Sequence, residues 1–131
     1  MRKGLARDEH AGASVVAAAL MLVMLLVGVV LHDVAALYTA RGRAQTAADA
    51  AAKAAGLELT PCFGVGNDPG AAAREYAVRN GSDLLECSFG ARERYLWVTV
   101  RVSRRVELLV MGNREAAVTA TARCYLDLAP P

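Results

Sequence analysis

Between Ala11 and Leu31 the chain reads AGASVVAAALMLVMLLVGVVL, 21 residues without a charge. At about 1.5 Å per residue, a helix of that length spans the roughly 30 Å of a bilayer's hydrocarbon layer. Arg2, Lys3 and Arg7 ahead of it would also suit a secretory signal. A signal's apolar core, however, is only roughly 7–15 residues long, and His32 and Asp33 stand where small cleavage-site residues belong. The run is therefore read as a retained transmembrane helix over 11–34, preceded by a cytoplasmic segment, 1–10. Basic residues near its ends set the orientation: Arg2, Lys3, Arg7 and the amino terminus outweigh Arg41 and Arg43. The N-terminus is then expected in the cytoplasm and everything after residue 34 outside, with Tyr38 as an aromatic at the outer boundary.

The helix is not expected to stop at the membrane. VAALYTARGRAQTAADAAAKAA holds no breaker except Gly42 before Gly56, and it is dominated by the strongest helix former. Residues 35–56 read as an extramembrane extension of the same rod, with Gly56 as its left-handed end. Arg41, Gln45, Asp49 and Lys53 recur every four residues and form a polar stripe. Leu37, Ala40, Ala44, Ala47 or Ala48, Ala51 and Ala55 form an apolar stripe beside it. The chain has 27 alanines against two phenylalanines and one tryptophan, so its apolar surface is mostly small. Alanine buries little area but lets another backbone come close. The stripe can cover the protein's own small domain or pack against a partner, and both readings stay open here.

Residues 57–131 read as a small α+β extracytoplasmic domain. Asp68 followed by Pro69 is an N-cap with proline at the first helical position, opening a short helix that closes at Asn80-Gly81. Three extended segments follow, DLLECS, YLWVTVRVSRRVELLV and EAAVTATARCYLDL, separated by FGARER and MGNR as turns. That pattern predicts a three-stranded antiparallel meander. Leu96, Val98, Val100 and Val102 share one face with Val118, Ala120, Ala122 and Cys124; Tyr95, Trp97, Thr99 and Arg101 with Thr119, Thr121, Arg123 and Tyr125 take the other.

Three cysteines, Cys62, Cys87 and Cys124, are too few and too far apart for a zinc module. In a meander Cys87 and Cys124 would sit on the outer strands, about two spacings of 4.7–4.9 Å apart, which exceeds the reach of a disulfide. Cys62 with Cys87 is the favoured pair, leaving Cys124 a buried thiol. His10 and His32 flank the membrane run and cannot share a site, and the serines lack a neighbouring base. GVGNDPG has neither the preceding strand nor the lysine of a phosphate loop. Net charge is +2, with nine basic and nine acidic residues after position 56, unlike a nucleic-acid footprint. No catalytic residue, metal, cofactor, nucleic acid or small-molecule substrate is expected, and the chain is not read as an enzyme.

Arg7-Asp8, Gly12-Ala13-Ser14-Val15-Val16, Asp33-Val34 and above all Arg43-Ala44-Gln45-Thr46-Ala47-Ala48-Asp49-Ala50-Ala51-Ala52 resemble the N-terminal region of TadE/TadG-like Flp pilus-assembly proteins. Arg43, Gln45, Ala48 and Asp49 carry the motif. The resemblance implies a single-pass, pilin-like protein of the bacterial inner membrane, with the membrane and other Tad subunits as partners. It also makes Gly12 a possible processing position. Prepilin-peptidase substrates carry glutamate five residues past the cut glycine; after Gly12 that position is Ala17. The implied function is that of a minor pilin-like subunit or assembly factor of a Tad-type pilus, acting by helix packing in the membrane or the filament. A single-pass tethered binding or accessory domain is the alternative.

Overall fold

The computed structural model describes residues 5–60, 68–92, 94–110 and 114–127, with the side chains of 5–11 and 114 left out. The chain forms α1 (Leu5–Glu58), α2 (Pro69–Arg79), β1 (Asp83–Arg92), β2 (Tyr95–Leu108) and β3 (Arg114–Asp127). The strands make one antiparallel sheet in the order β1-β2-β3. The α+β arrangement expected from the sequence, a long helix followed by a short helix and a three-stranded meander, is the arrangement found.

α1 is a single helix of 54 residues, about 80 Å long at 1.5 Å per residue. Its two halves live in different surroundings. Val15, Leu20, Met24, Leu26 and Leu31 are all exposed, and of the large apolar side chains between them only Val29 is half-buried, so this half has almost no protein to bury against. The half beyond Asp33 lies along the sheet, packing on β2, β3 and α2. The extension is thus the central helix of the small domain rather than a stalk leading to it.

Local chemistry accounts for α2 as expected. The Asp68 carboxylate accepts the Ala71 N–H at 2.8 Å, Pro69 opens the helix, and Asn80 caps its end. Gly81 then turns the chain at φ 69°, a backbone angle that favours glycine. Ala73 and Ala77 point inward and are fully buried.

Inward and outward residues alternate along β2 and β3 as the sequence predicts. Val98, Val100 and Val102 are the largest fully buried side chains among the described residues, and Ala120 and Ala122 lie beside them. They face Ala44, Ala47, Ala48, Ala51 and Ala55 of α1. The core is therefore a layer of valines and alanines in which helix and sheet backbones approach closely.

Two glycines do not play the parts expected of them. Gly56 does not end α1, which continues to Glu58 and closes where the Thr60 hydroxyl and the Leu59 N–H donate to the Gly56 carbonyl. A Cβ at Gly56 would lie 3.2 Å from Leu126 Cδ1 and 3.4 Å from Cys124 Sγ. The residue is small because β3 crosses there. FGARER, expected as a turn, is mostly strand: β1 runs through Gly90 to Arg92, which pairs with Tyr95. Gly90 lies opposite Trp97, and a Cβ there would stand 2.7 Å from the indole Cζ2. The ring lies over the glycine, a known way of stabilising glycine in an edge strand.

Gly90→Ala should therefore destabilise the domain by about 1–3 kcal/mol through overpacking. Chemical denaturation of the detergent-solubilised chain, read through its circular dichroism, checks this. The same change in a Trp97→Leu background should cost less than half as much.

Candidate functional site

The conspicuous candidate is the seam between α1 and the sheet. Of the residues expected on the helix packing face, Ala40, Ala44, Ala48, Ala51 and Ala55 are buried and Leu37 is half-buried. They pack against the protein's own sheet and α2. The structure thus takes the first of the two readings left open: the alanine face covers the small domain, and a partner must use other surfaces.

The four motif residues divide between the seam and its flanks. Ala48 is fully buried in the seam. Gln45 donates to Asp49 Oδ1 at 3.1 Å and to the Thr121 carbonyl at 3.4 Å, so a side-chain pair on the helix reaches the backbone of β3. Arg43 is exposed on the other flank, in a groove shared with Arg104 and Arg105 of β2. Of the polar stripe, Arg41, Gln45, Asp49 and Lys53 all remain exposed.

Two polar contacts outside these residues lock the domain. Asp33 is 7% exposed, and its two carboxylate oxygens accept the N–H groups of Leu109 at 2.9 Å and Val110 at 2.8 Å. The backbone just past β2 is thereby tied to the start of the extramembrane helix, and charged acceptors make such bonds strong. Arg104 Nη1 donates to the carbonyls of Asn80 and Gly81, both at 2.9 Å, tying β2 to the end of α2. Neither contact was legible beforehand. The one available signal was a carboxylate directly after an apolar run, a group that needs partners.

On the opposite face of the sheet, Arg92, Tyr95, Trp97, Arg123 and Tyr125 line an open cleft of about 560 Å³. Arg123 spans it, donating to the Thr99 hydroxyl at 3.1 Å and to the Tyr125 hydroxyl at 3.2 Å. Cys87 and Cys124 pair with Val100 and Val98 of β2, which runs between them, and they are not bonded to each other. Burial pushes the Cys87 thiol up, and the negative charge of Asp68 adds to this. Cys62, the partner expected for Cys87, lies outside the described residues. Gly12 is exposed in α1, with open space around it. Among the described residues no three His, Cys, Asp or Glu side chains gather as metal ligands would.

Residues 11–75 match the family model of the TadE/G-like Flp pilus-assembly proteins. The chain belongs to this family. No curated protein matches it, and no solved structure does. The TadE/G-like segment covers the apolar run, the whole alanine face of α1 and the first two turns of α2, and it stops short of the sheet. What this TadE/G-like chain holds in common with its family is thus the rod and the surface on which the sheet is laid. Asp33 falls within the matched segment and Arg104 outside it.

Asp33→Ala should free the amides of Leu109 and Val110 while leaving the valine core intact. Hydrogen exchange should speed up at those two amides by at least about tenfold, with the amides of Val98 and Val100 unchanged; equal protection at all four would show that the carboxylate does not hold the hairpin.

Proposed function

We propose that the chain is a minor pilin-like subunit or assembly factor of a Tad-type pilus or secretion system, anchored once in the inner membrane with its domain outside. The observation that supports this reading is α1 itself. In the segment matched to the family, one unbroken helix presents an apolar half with no cover and then enters the core of a small domain. An uncovered apolar helix must lie in lipid or among other helices, and pilus assembly moves such helices from the first environment to the second. The role is structural and involves no catalysis and no cofactor. Because the alanine face is occupied by the domain, contacts with other subunits fall to the apolar half and to the exposed side of α1 around Arg41, Asp49, Lys53 and Leu57.

A second reading, a tethered domain that binds a separate ligand, draws support from the aromatic and basic cleft at Tyr95, Trp97, Arg123 and Tyr125. The two readings differ in what deletion does. A strain lacking the gene, with no second copy, should assemble few or no pili, and restoring the gene should bring them back; wild-type piliation would overturn the assembly role. Substitution of Trp97 and Tyr125 by alanine should leave pili in place. The orientation has its own check. Protease added to intact spheroplasts should remove the domain beyond residue 35, and protection until lysis would reverse the assigned topology.

A further inference from the structure

The outward face of the sheet carries a cleft that neither the core nor the assembly role uses. Arg92, Tyr95, Trp97, Arg123 and Tyr125 line about 560 Å³ there, a volume typical of small-ligand sites, which run from roughly 300 to 1,000 Å³. The strand register explains how these residues meet. Tyr95 lies beside Arg92 of β1, and Trp97 lies between Gly90 of β1 and Tyr125 of β3. Because Gly90 has no side chain, the indole lies down over β1 instead of standing off the sheet. Three aromatic rings are thus gathered at one end of the sheet, and Tyr95 and Tyr125 are 47% and 62% exposed. Trp, Tyr and Arg are the side chains in which binding energy is most often concentrated.

Two guanidinium groups stand among the rings, with no carboxylate among the lining residues. Arg123 is held in place by neutral groups, the hydroxyls of Thr99 and Tyr125. Arg92 has no ion pair or hydrogen bond among the described residues. Asp127, opposite Tyr95 at the rim, meets Arg94 at 3.6 Å. The cleft therefore holds positive charge that the fold leaves without a counter-charge. Its complement is an anion that a planar guanidinium grips well, above all a carboxylate.

The floor decides what carries that carboxylate. β2 is the central strand, so its N–H and C=O groups are taken up by β1 and β3, and a peptide laid across it would find no main-chain partners. Beyond the cleft acids and bases are interspersed, Glu86 opposite Arg101 and Glu115 beside Arg105, so no basic track continues for the backbone of a nucleic acid. A sugar asks for what is present: aromatic rings against which its C–H faces pack, hydroxyls nearby, and guanidinium for an acidic substituent. We propose that the cleft binds a short segment of an acidic glycan, with sugar rings on Tyr95, Trp97 and Tyr125 and their carboxylates on Arg92 and Arg123. This deepens the reading of the domain as a binder of a separate ligand, on which it rests, and is independent of the assembly role. The cleft faces away from α1, so the glycan and the helix occupy opposite sides of the sheet.

The single tryptophan of the chain lies in the cleft and reports on it. The full chain in detergent micelles is titrated with four carboxylated oligosaccharides: trigalacturonate, trimannuronate, a hyaluronan tetrasaccharide and sialyllactose. Neutral maltotriose, hexaglutamate and a short oligothymidylate serve as the competing classes. At least one acidic sugar should shift the Trp97 emission saturably and bind more tightly than maltotriose. Arg92→Ser and Arg123→Ser should each weaken that sugar by about tenfold, as expected for the loss of one charged hydrogen bond. Arg79→Ser, on α2, should change nothing. Arg92→Ser breaks no contact among the described residues, so it decides the matter even where Arg123→Ser disturbs the sheet. No response to any of the four acidic sugars, equal affinity for maltotriose, or a sugar affinity unmoved by Arg92→Ser would overturn the proposal. Tighter binding of hexaglutamate or the oligonucleotide would overturn the glycan and leave a ligand-binding domain, whereas silence from every probe would overturn that reading as well.

Discussion

The close approach of α1 to its sheet is the constraint on which the rest of the structure depends. A helix faced with leucine would stand away from the strands and bury more area per residue. Here Ala44, Ala47, Ala48, Ala51 and Ala55 meet Val98, Val100 and Val102, and the area buried per side chain is small. A domain with so thin a core gains stability by packing density instead, since interiors at close packing make dispersion contacts on every side. That requirement propagates outward. Gly56 leaves room for Leu126 and Cys124 where β3 crosses the helix, and Ala73 and Ala77 are small and fully buried where α2 joins the seam.

A thin core also explains why the edges of the seam are pinned by polar groups. Asp33 holds the end of β2 at the membrane side, the Gln45–Asp49 pair reaches β3 midway, and Arg104 holds the end of α2. Asp33 and Arg104 bond backbone groups where a strand or helix has just ended and its own ladder supplies no partner, and Gln45 bonds a carbonyl within the edge strand β3. These contacts fix where the sheet sits along the helix, which a face of near-identical alanines specifies poorly by shape alone.

What was readable in the sequence was local. The Asp68-Pro69 cap, the Asn80-Gly81 stop, the alternation along β2 and β3 and the length of the apolar run all depend on neighbours a few residues away. The misread positions depended on distant ones. Gly56 and Gly90 look like breaks in regular structure because glycine usually is one, yet both answer to side chains on another element, Leu126 and Trp97. Asp33 lies 76 and 77 residues from the two amides it accepts, and Arg104 lies 24 and 23 residues from its carbonyls. The partners are backbone atoms, which carry no signature in residue type. The alanine stripe was legible as a packing surface but not as to its occupant, because a nearby sheet and a foreign helix ask for the same small side chains.

A domain laid along its helix, with contacts from Asp33 to Gly56, also has a mechanical character. Tension applied along α1 loads the seam in shear, so that the alanine–valine contacts and the clasps at Asp33 and Gln45 resist together. A domain hung from the end of a helix would be peeled away contact by contact. The same arrangement yields more readily to a sideways pull at the far end of the sheet, where the side chains of Leu126 and Cys124 meet Gly56. The fold thus resists a pull along its helix better than one across it.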